Sequence, residues 1–278
     1  FLAVLCNVAQ TSLIDENSVD IINNQYEDDQ LIFEELATSI EEAVIISCED
    51  AIEKLLSDVL KKLRDVNPDI LIEFRQNYTG PLMQTYGNML RASDCPLDAL
   101  TNRVKTLDLR MMSGCGVVHS DMLMWDKSGS TENAARQITN VLFSVPQISV
   151  KLNDIPAEHM EMLKFYLSFC DRYRDVLLEG SLHVYQPEML YSMAYAQKGN
   201  RAVAVDFSGV VWNIESGIDE AVYVNAAQKD ALYINAENID GTYDILNCRG
   251  KIIEKGTLLR NTLKKFNVPV SGMIIIRR

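Results

Sequence analysis

Between Asn67 and Trp125 the chain passes through three short apolar runs, and each ends in a burst of polar residues. NPDILIEFRQNYTGP closes on Glu73, Arg75, Gln76, Asn77 and Tyr78. GNMLRASD closes on Arg91, Ser93 and Asp94, and GCGVVHSDMLMW on His119, Ser120 and Asp121. Apolar runs without alternation suit strands covered on both faces. A helical pattern from Leu97 to Met112 separates the second run from the third, and parallel strands need crossovers of that kind. In β/α folds the functional groups gather at the C-terminal strand ends. The stretch therefore predicts a parallel sheet whose polar strand ends form one working face.

The flanking sequence extends the pattern. Ile40, Ala43, Val44, Ala51, Leu55, Val59 and Leu63 recur at helical steps. Thr38 or Ser39 with Glu41 and Glu42 suits a helix start, and Asn67-Pro68 a stop. PLDALTNRVKTLDLRMM reads as a helix with Pro96 near its first turn. Thr131–Phe143 reads as another helix, QISVKLN as a fourth strand ending at Asn153-Asp154, and Pro156–Leu178 as one long helix. Helices and strands alternating in this order predict an α/β domain. After Gly180 the texture changes. SMAYAQ, RAVAVDF, VVWNI, EAVYVNA, ALYINAE, TYDIL, GKII and GMIIIRR are short β-type runs between turn signals. Their regular spacing predicts an antiparallel β-sandwich. The expected organisation is a partial TIM-like (β/α)8-type domain over residues 1–180 and a C-terminal β-sandwich domain over residues 181–278.

Four strands with helices make half of a barrel, and half a barrel leaves sheet edges open. Three arrangements would close it: a longer chain of which this is the C-terminal part, a partner such as a second copy in a homo-oligomer, or a strand from residues 1–38. FLAVLC at the start is too short to span a membrane and has no basic flank. It reads as a buried strand, and Asp15–Gln30 as an acidic, Asn-rich loop.

A net charge of -13 argues against a nucleic-acid partner. Cys6, Cys48, Cys95, Cys115, Cys170 and Cys248 form no CxxC pair, and none of the histidines is paired at i, i+4. No metal site is expected, and widely spaced thiols point to a reduced, cytoplasmic compartment.

Each polar residue also has a plain structural reading. Ser93 and Asp94 precede a helix and could cap it. Asp121 could be a turn residue, and His119 a supporting one. Glu73 and Arg75 lie at i, i+2 and share a face, as a structural ion pair or as pocket groups. Phe165, Phe169 and Tyr173 fall at four-residue steps and read as core. Trp125 reads as a packed aromatic or a sugar-stacking one.

Taken together, NPDILIEFRQNYTGP, RASDCPLDALTNRV with the following DLR, and HSDMLMW resemble the α-galactosidases of glycoside hydrolase family thirty-six, over roughly residues 39–278. The resemblance implies a retaining hydrolysis of terminal α-galactosides of oligosaccharides by two carboxylates, about 5–5.5 Å apart, with no metal or organic cofactor. On this match Asp94, in Arg91-Ala-Ser-Asp94, stands at the general acid/base position. Arg91 and Asp121 would hold galactose hydroxyls, and Glu73, Arg75, Asn77 and His119 would line the same pocket. The family's nucleophile lies on the fourth barrel strand in a Leu-Lys-Ile-Asp-Phe-like pattern that this chain lacks. Asp15 in SLIDEN is the candidate with the right chemistry. Asn7 in VLCNV has a strand-like context but cannot act as a nucleophile. The alternative is therefore a catalytically incomplete carbohydrate-binding or assembly-partner fragment.

Overall fold

The computed structural model describes residues 48–75, 78–114, 116–237 and 239–278. The expectations for residues 1–47, with Asn7 and Asp15, and for Asn77 lie outside them. The chain divides into two compact units, one ending at Ile70 and one running from Leu71 to Arg278. In the first, helix α1 covers Cys48–Val66. Its apolar positions Ile52, Leu55, Val59 and Leu63 are exposed along one stripe. The Asn67 N–H still donates to the Leu63 carbonyl at 2.9 Å, and Pro68 cannot continue the helix.

The second unit begins with a parallel sheet of β1 (Glu73–Arg75), β2 (Met89–Arg91), β3 (Val117–Leu123) and β4 (Val145–Ile148), in the spatial order 1-2-3-4. Such sequential order belongs to a singly wound β/α sheet, as in a partial barrel. Helix α2 (Ala99–Met112) joins β2 to β3 and α3 (Thr131–Thr139) joins β3 to β4. Among the described residues, a 3-10 turn, Pro81–Thr85, stands between β1 and β2. Phe74, Leu90, Ala92 and Val118 pack with Leu109 of α2 on one face of this sheet. The opposite face carries Glu73, Arg75, Arg91 and His119, because Arg75 pairs in register with Arg91 and Arg91 with His119.

The strands are shorter than the apolar runs suggested. DILIEF contributes only Glu73 and Phe74 to the three-residue β1, Leu71 is exposed and Phe74 half-buried, and β1 is an edge rather than a strand covered on both sides. The fourth strand starts at Val145, and a 3-10 turn, Leu152–Asp154, occupies the expected strand end. The long final helix is two: α4 (Ala157–Arg172) and α5 (Arg174–Glu179), broken at Tyr173. The Tyr173 ring is buried and its hydroxyl donates to Glu220 at 2.8 Å. Phe169 and Tyr173 are core residues, and Phe165 packs against that core.

At Gly180 the chain turns directly from α5 into a strand; a Cβ there would lie 2.3 Å from the Val176 carbonyl. Among the described residues ten strands follow: β5 (Ser181–Tyr185), β6 (Met193–Lys198), β7 (Arg201–Asp206), β8 (Val211–Asn213), β9 (Glu220–Asn225), β10 (Leu232–Ala236), β11 (Gly241–Leu246), β12 (Ile252–Leu258), β13 (Thr262–Phe266) and β14 (Met273–Arg277). Seven of them form a sheet ordered β12-β11-β14-β9-β7-β6-β5, and β13-β10-β8 form a second. Pairing is largely antiparallel, with β7·β9 and β8·β10 parallel. β5 and β13 were not among the expected runs.

The large sheet is covered on both faces, and strict alternation does it. Ala194, Ala196, Val203, Val205, Val222 and Val224 share a core with Met162, Tyr166 and Phe169 of α4. Their neighbours Tyr195, Ala202, Ala204, Tyr223, Ile274 and Ile276 share another with Trp212, Ile234 and Phe266 of the small sheet.

Candidate functional site

The site is built on the loop between β2 and α2, Ala92–Asp98. Helix α2 is capped by Asp98, whose side chain accepts from the Thr101 N–H at 3.0 Å and the Thr101 hydroxyl at 2.6 Å. The capping role that Ser93 or Asp94 could have filled therefore falls to a later residue. The helix starts at Ala99, and Pro96 lies in the loop rather than in the first turn. The loop is held at three points. The Cys95 N–H donates to Asp121 Oδ2 at 2.5 Å. The Cys95 thiol donates to the Ser93 carbonyl at 2.9 Å. Leu97, at φ 68, has its carbonyl taken by Gln137 Nε2 at 3.1 Å. Burial, with the Asp121 and Asp98 charges, pushes the Cys95 thiol up to about 12, so this cysteine is no nucleophile.

Asp121 reaches under the loop because β3 is irregular there. His119 pairs with Val145 but Met122 with Gln147, so β3 carries one extra residue at Ser120–Asp121. A bulge of this kind re-aims a side chain. The Ser120 hydroxyl accepts the Gln147 N–H at 2.9 Å across the gap. Asn102 of α2 clamps the Asp121 backbone from both sides, accepting from its N–H at 3.0 Å and donating to its carbonyl at 3.3 Å. Asp121 itself is 0% exposed.

Arg91 is the hub. Its side chain is 10% exposed, and three carboxylates surround it. Its Nε lies 3.8 Å from Glu73 Oε1, and its Nη2 lies 3.7 Å from Asp94 Oδ1 and 3.8 Å from Asp121 Oδ1. Nη1 donates to Gln147 Oε1 at 3.4 Å. Glu73 Oε2 also meets His119 Nδ1 at 3.2 Å. Arg75 Nη2 donates to both oxygens of Asp94, at 3.0 and 3.1 Å. Residues of all four strands thus meet at one guanidinium. Buried charge demands such pairing.

Asp94 is the open member of the cluster, with its side chain 51% exposed. It stands at the mouth of a cleft of about 500 Å³ lined by Thr79, Arg91, Ser93, Asp94, Lys105, Asp108, Leu109 and Met112. Trp125 points elsewhere: its Nε1 donates to His159 Nδ1 at 3.2 Å, and it packs against the main core. Among the described residues, no group of three or more His, Cys, Asp and Glu side chains is placed to hold a metal ion, and no helix is long and apolar enough to cross a membrane. Cys95, Cys170 and Cys248 are free thiols.

The structure brings together Glu73, Arg75, Arg91, Asp94, His119 and Asp121 from the expected set. It departs from expectation in how they pair: Glu73 turns to Arg91 and His119, and Arg75 to Asp94. Asp121 lies beneath the loop, its Oδ2 occupied by the Cys95 N–H. Sequence reasoning missed Asn102, Gln147 and the cleft residues of α2. Only the spacing of α2 could have shown the last, since Lys105, Asp108 and Met112 fall at three- and four-residue steps on one helix face.

No family model matches the chain, and no curated protein does. Solved structures do. One is the galactosidase domain of the α-galactosidase–sucrose kinase AgaSK, at 10% identity and TM-score 0.44, covering 79% of this chain and 30% of that one. Another is a substituted form of the GH36 α-galactosidase AgaA from Geobacillus stearothermophilus with raffinose, at 14% identity and TM-score 0.43, covering 80% and 30%. A third, from Neocallimastix frontalis, matches at 8% identity and TM-score 0.38, covering 80% and 64%. The chain thus spans about a third of the length of the first two.

Proposed function

We propose that this chain carries the acid/base half of an α-galactosidase-like active site, with Asp94 as general acid and base. The observation that carries the reading is the convergence of Glu73, Asp94 and Asp121 within 4 Å of the single guanidinium of Arg91, the last residue of β2, beside a cleft. A glycosidase needs a carboxyl group that reaches the leaving oxygen and rigid neighbours that orient it. Asp94 supplies the first. The Arg91 cluster, pinned through Asp121 to the Cys95 N–H, supplies the second.

Arg75 donates to both Asp94 oxygens, so on this reading Arg75 swings away and Asp94 takes a proton from solvent before handing it to the leaving oxygen. Arg75 sits at the end of edge strand β1 with its side chain 43% exposed, and has room to swing. Arg91, nearly buried, stays and would orient the sugar together with Glu73 and His119. Asp121 acts from below as a positioning residue. The attacking carboxylate falls to Asp15 on the sequence reading. The substrate is then an α-galactoside, and free thiols at Cys95, Cys170 and Cys248 support a cytoplasmic location.

The test is hydrolysis of para-nitrophenyl α-galactoside by the full-length protein and its Asp94→Asn variant. Turnover should fall in the variant by about 10²–10⁴-fold, the usual worth of general acid–base catalysis. Absence of turnover in a folded wild-type sample would remove the hydrolase reading.

A further inference from the structure

We propose that Arg103 of α2 and Arg136 of α3 form an anion site that takes a phosphate group, on the side of α2 away from Asp94. The site stands whether or not the chain hydrolyses galactosides.

Charge balance is the first support. Other partly buried arginines of the Leu71–Arg278 unit meet acids: Arg91 meets Glu73, Asp94 and Asp121, Arg201 meets Asp175 and Glu220, and Arg277 meets Glu220 and Asp244. Arg103 and Arg136 are half-buried too, and among the described residues neither forms an ion pair. Both Nε atoms are buried without a hydrogen-bond partner. Glu132, one turn before Arg136 on α3, faces the Cys248 thiol instead, at 3.9 Å. Burial and the neighbouring Arg136 charge push the Arg103 guanidinium down to about 10. Buried charge calls for an opposite charge, and the chain supplies none at this place.

Geometry is the second support. The Arg103 guanidinium sits over the Phe207 ring, 4.2 Å from its centroid, and its Nη1 donates to Asn140 Oδ1 at 3.3 Å. Asn140 Nδ2 donates in turn to the Arg136 carbonyl at 2.7 Å. The ring and the amide fix Arg103 without neutralising it. Guanidinium N–H groups fixed in this way suit the oxygens of a phosphate. Two positive charges match a phosphate monoester, which carries about -1.5 to -2 at neutral pH.

Placement separates this site from the cleft. At about 3.6 residues per turn, Arg103 lies across α2 from Lys105 and Met112 of the cleft wall. Its neighbour Asn102 clamps the Asp121 backbone, and Gln137, beside Arg136, donates to the Leu97 carbonyl. A phosphate shared by the two arginines would brace the two helices that hold the β2–α2 loop.

The experiment follows the thermal midpoint of the full-length protein as inorganic phosphate is added, against sodium chloride of equal ionic strength as the control for screening. Phosphate should raise the wild-type midpoint by binding the folded state. A hexose phosphate more potent than inorganic phosphate would identify an ester as the occupant, and equal or lower potency the free ion; both support the site. Calorimetric titration should show phosphate binding weakened about ten- to hundredfold in Arg136→Gln and in Arg103→Gln, the worth of a hydrogen bond to a charged group. Arg136→Gln in chloride should melt no lower than wild type, because it relieves a like-charge pair. Equal phosphate binding in wild type and both variants, or a wild-type response no larger than that to chloride, would overturn the site.

Discussion

The two sheet systems of the Leu71–Arg278 unit use their faces in opposite ways. The seven-stranded sheet is apolar on both, with valines and alanines toward α4 and tyrosines and isoleucines toward the small sheet. The four-stranded parallel sheet is apolar on one face only. Its other face holds Glu73, Arg75, Arg91 and His119, and its edge strand β1 has three residues. Dense apolar burial is where stability comes from. A face of mutually paired charges adds little to it, since desolvation offsets much of the attraction. The contrast places most of the apolar burial in the β-rich half and the proposed chemistry on the parallel sheet.

The largest effect that could break this division is in the β-rich core. Phe266 of β13 is 1% exposed, stacks edge-on with Tyr243 at 5.0 Å and joins the two sheets. Phe266→Ala should lower the unfolding free energy by about 3–5 kcal/mol, read by denaturant titration. Galactoside binding by the folded fraction should stay as in wild type. A matching loss of affinity would show that the two regions are not separate in function.

The same division explains what could be read in the sequence. Alternation along RAVAVDF and EAVYVNA marked β7 and β9, because each residue on those strands meets one of two cores. β5 escaped because SLHVY sets half-buried Leu182 and Val184 between exposed residues, and β13 because TLKKF exposes Leu263 and half-buries Thr262 and Lys264; both strands sit at the outer positions of their sheets. On the parallel side the polar bursts marked Glu73, Arg75, Arg91, Asp94, His119 and Asp121, and these do converge. The place of Asp121 among them was hidden, because it follows a one-residue irregularity at Ser120–Asp121 that no periodicity announces. The break of the last helix at Tyr173 was hidden for a similar reason. Its cause is a buried ring and a bond to distant Glu220.

A middle-sized effect sharpens the roles within the site. Asp121→Ala leaves the buried Cys95 N–H without its acceptor and removes one carboxylate from Arg91. It should cost about 1–3 kcal/mol of stability and also lower turnover, because the loop that carries Asp94 loses its anchor. Asp121→Asn keeps an acceptor oxygen while removing the charge. Stability recovered in the amide variant with turnover still low would assign the effect to Arg91. Recovery of both would assign it to the loop.

The smallest effect decides between two aspartates four positions apart. Asp98 satisfies the free N–H of Thr101 at the start of α2, so Asp98→Ala should cost about 1 kcal/mol, as the loss of an N-cap does. Asp94 pairs with Arg75 and Arg91 at an exposed position, where an ion pair is worth about 0–1 kcal/mol. Asp94→Ala should therefore leave the thermal midpoint close to wild type while removing turnover, and Asp98→Ala should do the reverse. If Asp94→Ala destabilised the protein as much as Asp98→Ala, Asp94 would be serving the fold. The proposed acid/base role of Asp94 would then fall.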